Sequence, residues 1–371
     1  MKKLLIIGNG VTGINTQGGI YINDHTAKFL INLQKNDSSL KVSFCQPVTN
    51  FEKNTNLLNY NLADTPINFI PLRSKNKFAL LIELFLVFFL KLIAFDYIYV
   101  FYPNSIGRIV LLLAVLFRKK YGLYVRGEHF IQNKFDKQIL RSASFILTVS
   151  PSIQNTLRNY NARVEVIRPM IDIQASDFYW KKTFGKEGEK YKALFVGRIE
   201  SRKGILELIE VARAFNRPES IIQIDFHIVG GGDLYNNLTE NNFNLPENII
   251  FYGQIHDRKK LIDLYREADF FIFPSHDEGF PRVLYDAMAQ RLPIFTTFVG
   301  GIPGYLTDHK TCIQLPLKDP VGQLTVIREA LVNMDNTCFD EITKNALMKL
   351  EQILMQTPHE KLFIDKINNI L

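Results

Sequence analysis

Residues 269–306 read DFFIFPSHDEGFPRVLYDAMAQRLPIFTTFVGGIPGYL, and within them Glu278 and Asp286 are two carboxylates separated by seven residues. Phe270 to Phe273 has the unbroken apolar character of a strand buried on both faces, and Pro274 with Gly279 ends it in a loop, where α/β sheets place ligands. Pro281 suits the first turn of a following helix, because the N–H it lacks has no intrahelical partner there. The free backbone N–H groups and the positive dipole end of that helix form a cradle for an anion. Glu278 stands in the loop just before the cradle, beside the anion rather than on it. A carboxylate there repels phosphate but accepts hydrogen bonds from sugar hydroxyls. The ligand suggested is an anion with a polyol attached, and a sugar nucleotide is such a ligand.

A second segment, LFVGRIESRKG at residues 194–204, puts Gly197 at a strand end, Arg198 beside it, and Lys203 with Gly204 at the next helix. Arginine offers a bidentate fork and lysine a point charge, and both suit a diphosphate. Gly230, Gly231 and Gly232 follow the strand QIDFHIV, where a glycine run permits close backbone approach to a ligand or a tight turn. The chain has no Asp-x-Asp and no His or Cys cluster with metal-ligand spacing. With two cations already placed for phosphates, the expectation is transfer without a metal and no cofactor beyond a nucleotide-sugar co-substrate.

These segments closely resemble the donor site of family 4 retaining glycosyltransferases (glycosyl transferases group 1), enzymes of the GT-B fold. That family carries Glu, seven residues, Glu; here the second acid is Asp286, one methylene shorter. The resemblance implies that Glu278 contacts the donor sugar, Asp286 the ribose, and that Gly279, Phe280 and Pro281 line the donor site. It also implies that the Gly-Arg, four residues, Lys-Gly motif, kept in full at Gly197-Arg198 and Lys203-Gly204, holds the donor's phosphates. Arg198, Lys203 and Glu278 are then the catalytic set, the cations stabilising charge on the departing diphosphate. Arg202 lies in the same turn but matches no motif position. The family also places Gly230 beside the donor pocket and the base near backbone groups around Ile255.

In the first half, Gly18 and Gly19 resemble the family's glycine loop, which approaches the donor phosphates and the acceptor. Arg126, Glu128 and His129 follow the strand ending in Tyr124-Val125 and are acceptor-side candidates. The family often has a histidine at this strand end, but Arg126 or Gly127 takes that slot here and His129 comes later. Ser150 matches a family position and equally suits a helix cap. Gly8-Asn9-Gly10-Val11-Thr12-Gly13 satisfies a dinucleotide fingerprint, which would make the chain an oxidoreductase. That reading needs a helix at the third glycine and an acid ending the second strand. The apolar pattern of a helix instead begins near Ile20, and the second strand ends in Cys45-Gln46-Pro47.

Alternating apolar strands and amphipathic helices must position these groups, the pattern of parallel sheets wound on both faces. Candidate strands in the first half are 4–8, 42–45, 97–101, 122–125 and 145–149. In the second half they are 193–197, 224–229, 249–252, 270–273 and 293–296. Periodicity is lost over 169–190, which reads as a hinge. The expected organisation is an acceptor-binding Rossmann-like domain over 1–170 and a donor-binding one over 171–357, with a terminal helix over 358–371. The resemblance implies sheets facing across a cleft and a terminal helix crossing back to the first domain.

A chain of 371 residues, 47% apolar and 22% charged, is an ordinary globular composition of about two domains. Its three cysteines, Cys45, Cys312 and Cys338, have no redox spacing, which fits a reducing cytosol. Residues 1–180 carry 21 Lys and Arg against 11 Asp and Glu, whereas the remainder carries 23 against 26. No nucleic-acid-binding signature accompanies this basic half, so an anionic membrane surface is the expected partner of that charge. Phe78 to Phe95 is the most apolar run, but Glu83 and Lys91 argue against a membrane span and leave a core helix or a membrane-leaning one.

The reading is a retaining glycosyltransferase using a nucleoside-diphosphate sugar, UDP-linked, with a saccharide or lipid-linked saccharide acceptor. Its expected setting is cytoplasmic and peripheral at the inner membrane face, in lipopolysaccharide or capsule biosynthesis. Alternatives are a GT-B sugar-nucleotide epimerase and a non-catalytic sugar-nucleotide or glycan-binding module.

Overall fold

The computed structural model describes residues 1–10, 12–50, 58, 60–63, 65–73, 79, 82–83, 85, 92–127, 131, 133–169, 171, 173–180, 190–240 and 244–370. Two compact units emerge, one of Met1–Ile171 with Gln356–Leu371, the other of Asp172–Met355. Glu128, His129 and most of the Phe78 to Phe95 run lie outside the described residues. Among the described residues no helix is long and apolar enough to cross a membrane.

The first unit is built on β1 (Lys2–Ile7), β2 (Thr12–Ile14), β3 (Ile20–Ile22), β4 (Leu40–Asn50), β5 (Tyr60–Asn61), β6 (Asn68–Leu72), β7 (Tyr97–Tyr102), β8 (Tyr121–Val125), β9 (Phe145–Thr148) and β10 (Val164–Val166). Their order is β10-β9-β8-β7-β1-β4-β2-β3-β5, with β6 also on β4. Strands β7, β8 and β9 are buried throughout, as parallel strands covered on both faces must be. Asn23, Asn104, Asn133 and Ser150 each cap a helix, their side chains accepting a backbone N–H of the first turn. Ser150 is therefore occupied as a cap.

Two sequence expectations are corrected here. The helix expected near Ile20 starts at Asp24, because Ile20–Ile22 pairs antiparallel with Thr12–Ile14 as a hairpin. Strand β4 is also far longer than expected: its first half pairs with β1, and its last residues pair with β2. Short strands such as β2 and β5 have no period of their own to reveal them.

The helix His359–Asn368 belongs to this first unit. His359 stacks on Phe29 at 4.3 Å between ring centroids and shares a 2.6 Å hydrogen bond with the Tyr99 hydroxyl. Phe363 packs on Tyr99 at 4.4 Å, and Arg168 N–H donates to the Thr357 carbonyl at 3.0 Å. Burial pushes the His359 pKa down to about 3, with a small contribution from Arg126.

The second unit is a six-stranded, wholly parallel sheet of β11 (Tyr191–Val196), β12 (Ile224–Val229), β13 (Ile249–Gly253), β14 (Phe270–Phe273), β15 (Ile294–Thr297) and β16 (Ile313–Leu315). The order is β13-β12-β11-β14-β15-β16, so the winding direction reverses between β11 and β14. Ligands of such sheets bind outside the carboxyl ends of the strands at this switch point.

A neutral His359 in the fold takes up its proton only on unfolding. The fold therefore binds fewer protons below the ordinary imidazole value of 6.5, and stability is lost as pH falls from there toward 3. Amide exchange of β7, followed by mass spectrometry, should show opening made easier by about 1.4 kcal/mol per pH unit in that window. In His359→Gln this contribution to the slope should be gone.

Candidate functional site

Strands β11 and β14 pair with Leu194 opposite Phe271, so Gly197 and Pro274 lie level, each just past its strand end. The loops that follow, 197–204 and 274–281, are thus neighbours by register. Close backbone contact locks them together. Gly204 has φ +74°, and a Cβ there would meet the Pro274 carbonyl oxygen at 2.1 Å. The His276 N–H donates to the Arg202 carbonyl at 2.9 Å, and the Ser275 hydroxyl reaches the same oxygen at 3.3 Å.

On this frame Lys203 forms a close ion pair with Glu278. Their side chains are only 12% and 11% exposed, and the Ser275 hydroxyl donates to the same Glu278 oxygen at 3.1 Å. The Lys203 ammonium also lies 5.9 Å from the Phe273 ring centroid. Glu207 Oε1, in the first turn of the helix Ile205–Phe215, stands 3.0 Å from His276 Nε2 of the acidic turn.

The backbone of Glu278 is held from its other side. Gly300 has φ +54°, and a Cβ there would sit 1.7 Å from the Glu278 carbonyl oxygen. The Thr296 hydroxyl donates to the Phe273 carbonyl at 2.9 Å, and that of Thr297 to the Ser275 carbonyl. Pro281 is the extended residue before the helix Arg282–Ala289, one position earlier than expected, and its side chain caps nothing. Phe280 packs between Tyr285 and Tyr305 at 4.6 and 5.2 Å. Gly279 is half-buried in the same turn.

The other sequence candidates divide. Arg198 turns to Glu200 at 2.6 Å rather than to Glu278, and Arg202 takes the other Glu200 oxygen at 2.7 Å. Hydrogen bonding to Glu200 raises the Arg202 pKa, with Glu278 and Asp277 contributing at longer range. Arg202 therefore stands nearer the acids than its lack of a motif position suggests. Gly230 has φ +144°, and a Cβ there would meet the Gly197 carbonyl oxygen at 1.8 Å, so the glycine is needed for loop-to-loop contact inside the site. Ile255 is half-buried just past β13.

Asp286 is buried and bonded to Arg258 at 2.6 Å. Burial raises its pKa, and Arg258 opposes the shift. This pairing was not legible in the sequence, because Arg258 lies on a different helix, Arg258–Glu267.

In the first unit, Gly18, at φ +82°, and Gly19 form the turn of the β2–β3 hairpin, pinned by Asn15 Oδ1 accepting the Gly19 N–H at 2.6 Å. Arg126 follows β8 and donates to Asn9 at 3.3 Å. Sequence reasoning missed a buried polar cluster at the end of β7. There Asp136 accepts from Arg108 Nε and Nη2 at 3.1 and 2.9 Å, from the Tyr102 hydroxyl and from the Asn133 amide. Nothing in the spacing of residues 102, 108 and 136 signals it.

Solved structures share this architecture. Sucrose-phosphate synthase from Thermosynechococcus elongatus superposes with a TM-score of 0.65 at 18% identity, covering 100% of this chain and 98% of that one. Alr3699/HepE from Anabaena, in complex with UDP, gives a TM-score of 0.63 at 14% identity over 100% of both chains. The fold is GT-B. Residues 177–333 match the family model described as glycosyl transferases group 1. The capsular polysaccharide biosynthesis glycosyltransferase CapM of Staphylococcus aureus is 25% identical over 208 residues, 50% of this chain and 52% of that protein. The chain spans about half the length of the first curated relatives it matches.

Gly204→Ala should destabilise the second unit by about 2 kcal/mol or more, since it combines left-handed strain with a backbone clash. Denaturant unfolding followed by the fluorescence of Trp180 checks this. The corresponding substitution at Gly127 of the first unit, which has nothing within 4 Å of its would-be Cβ, should cost far less.

Proposed function

We propose that the protein is a retaining glycosyltransferase that moves a sugar from a nucleoside-diphosphate sugar, UDP-linked, to a saccharide or lipid-linked saccharide in cell-surface polysaccharide assembly. The observation that carries this is the convergence of Lys203 and Glu278 in one largely buried turn at the switch point of the second sheet. A lysine beside an uncapped helix start suits a diphosphate, and a carboxylate beside it suits sugar hydroxyls. The match of residues 177–333 to glycosyl transferases group 1 supports the reaction class. UDP as the nucleotide is supported by the complex of HepE with UDP, and the polysaccharide setting by the capsular role of CapM.

In this reading Lys203, with Arg198 and Arg202 on the same loop, takes up charge as the diphosphate departs, without a metal. Glu278 orients the donor sugar and exchanges part of its contact with Lys203 for hydroxyl donors. Asp286, held by Arg258, faces the ribose, and the backbone around Ile255 faces the base. Arg126 and its loop serve the acceptor. Retention follows a front-face displacement in which the leaving phosphate takes the acceptor proton.

Incubation with a panel of nucleotide sugars, with and without membrane extract, tests the proposal. Release of nucleoside diphosphate that depends on extract is the expected result. An isomerised donor would mark an epimerase, and binding without turnover a binding module. Lys203→Ala and Glu278→Ala should each lower turnover by a factor on the order of a hundred or more. Near-normal rates in both would remove the assignment. Turnover should persist in a chelator, and the product's anomeric configuration, read by NMR, should match the donor's.

A further inference from the structure

Arg198 and Arg202 converge on one carboxylate. Arg198 Nη1 lies 2.6 Å from Glu200 Oε1, and Arg202 Nε donates to Glu200 Oε2 at 2.7 Å, so both oxygens of the acid are engaged. The partners differ in freedom. The Glu200 side chain is 14% exposed, whereas those of Arg198 and Arg202 are 56% and 52% exposed. The backbone beneath the acid is fixed as well: the Ile199 N–H donates to the Gly231 carbonyl and the Leu234 N–H to the Ile199 carbonyl, both at 3.0 Å. The β12 loop approaches so closely that a Cβ on Gly232 would sit 2.6 Å from that Ile199 oxygen. An anchored acid thus holds two long, solvent-facing cations.

Glu200 immediately precedes the turn Ser201–Lys203, yet its side chain caps none of that turn's N–H groups. It reaches the arginines instead. Ion pairs to half-exposed arginines contribute little to stability, so holding the fold together is a poor account of this arrangement. In a loop that receives a diphosphate, a carboxylate repels the ligand and occupies the donors that would bind it.

We propose that Glu200 is a positioning residue that competes with the diphosphate for Arg198 and Arg202, and so limits how firmly the departing nucleoside diphosphate is held. The inference rests on the glycosyl transfer proposed above. On binding, each arginine exchanges the carboxylate for phosphate oxygens, and on release it returns to Glu200. The free nucleoside diphosphate carries up to about one more negative charge than its sugar ester, because its terminal phosphate ionises a second time near pH 6. Arg198, Arg202 and Lys203, unopposed, would therefore hold product more firmly than donor. A fixed negative charge beside them acts most strongly on the more highly charged ligand, so Glu200 eases product release more than it weakens donor binding.

Calorimetric titration of the parent, Glu200→Gln and Glu200→Ala with UDP, GDP and ADP tests this. The diphosphate that the parent binds should bind both variants roughly three- to tenfold more tightly. A residue that merely kept the loop folded would give the opposite sign. In an Arg198→Gln, Arg202→Gln background, adding Glu200→Gln should recover little of that gain, because the acid then has no guanidinium to withhold. In the extract-dependent reaction, inhibition of Glu200→Gln by the free diphosphate should strengthen by more than the donor KM falls. Unchanged or weaker diphosphate binding by both Glu200 variants overturns the inference, as does a full gain in the background without the two arginines. A parent that binds none of the three diphosphates overturns the proposed function and this inference with it.

Discussion

Lys203 and Glu278 meet in a turn where water has little access, and most of the second unit is arranged so that they can. A largely buried ion pair is held only when its surroundings fix both partners, because either charge alone would be costly there. The fixing is done by backbone. Gly204 lets the phosphate-side loop touch Pro274, Gly300 lets the β15 loop touch Glu278, and Gly230 lets the β12 loop touch Gly197. At each of these points a side chain would collide with a carbonyl oxygen. The glycines act chiefly by letting loops meet one another, and the cations and acids are placed as a result.

Asp286 is held by a partner from another helix. Its carboxylate is buried at the second turn of the helix Arg282–Ala289, and Arg258 reaches it from the neighbouring helix. Burial alone would favour the protonated form, and the guanidinium opposes this. The pair couples the loop after β13 to the helix that follows Glu278. Arg198, Glu200 and Arg202 form a comparable chain on the phosphate-side loop, where one carboxylate holds two guanidinium groups. Charge on the loops after β11 and β14 and on the helix that follows is thus held in partnered groups.

The first unit is organised differently, around aromatic packing with few charges inside. His359 brings the C-terminal helix into contact with Phe29 and Tyr99, and burial keeps its ring neutral at ordinary pH. The buried Asp136 is the main exception, and its oxygens are fully engaged by Arg108, Tyr102 and Asn133. The same unit leaves one helix apolar toward solvent and carries the chain's excess of positive charge.

Strands 224–229 and 270–273 were read from the sequence at their observed limits, 270–273 because FFIF is buried on both faces and apolar throughout, and 224–229 because Ile224, Phe226 and Ile228 alternate with the half-buried Asp225 and His227. That Arg198, Lys203 and Glu278 lie in loops past strand ends was legible too, since glycines mark those loops in the sequence. The hairpin at Gly18 was not, nor were the partners of Asp286 and Asp136. Their contacts join residues far apart along the chain, and no local spacing records them. Local chemistry thus determined which groups sit at the strand ends and that a winding α/β sheet carries them. Tertiary structure decided that Lys203 meets Glu278 while Arg198 meets Glu200, because side-chain direction is set by loop-to-loop contact, a property of the packed backbone.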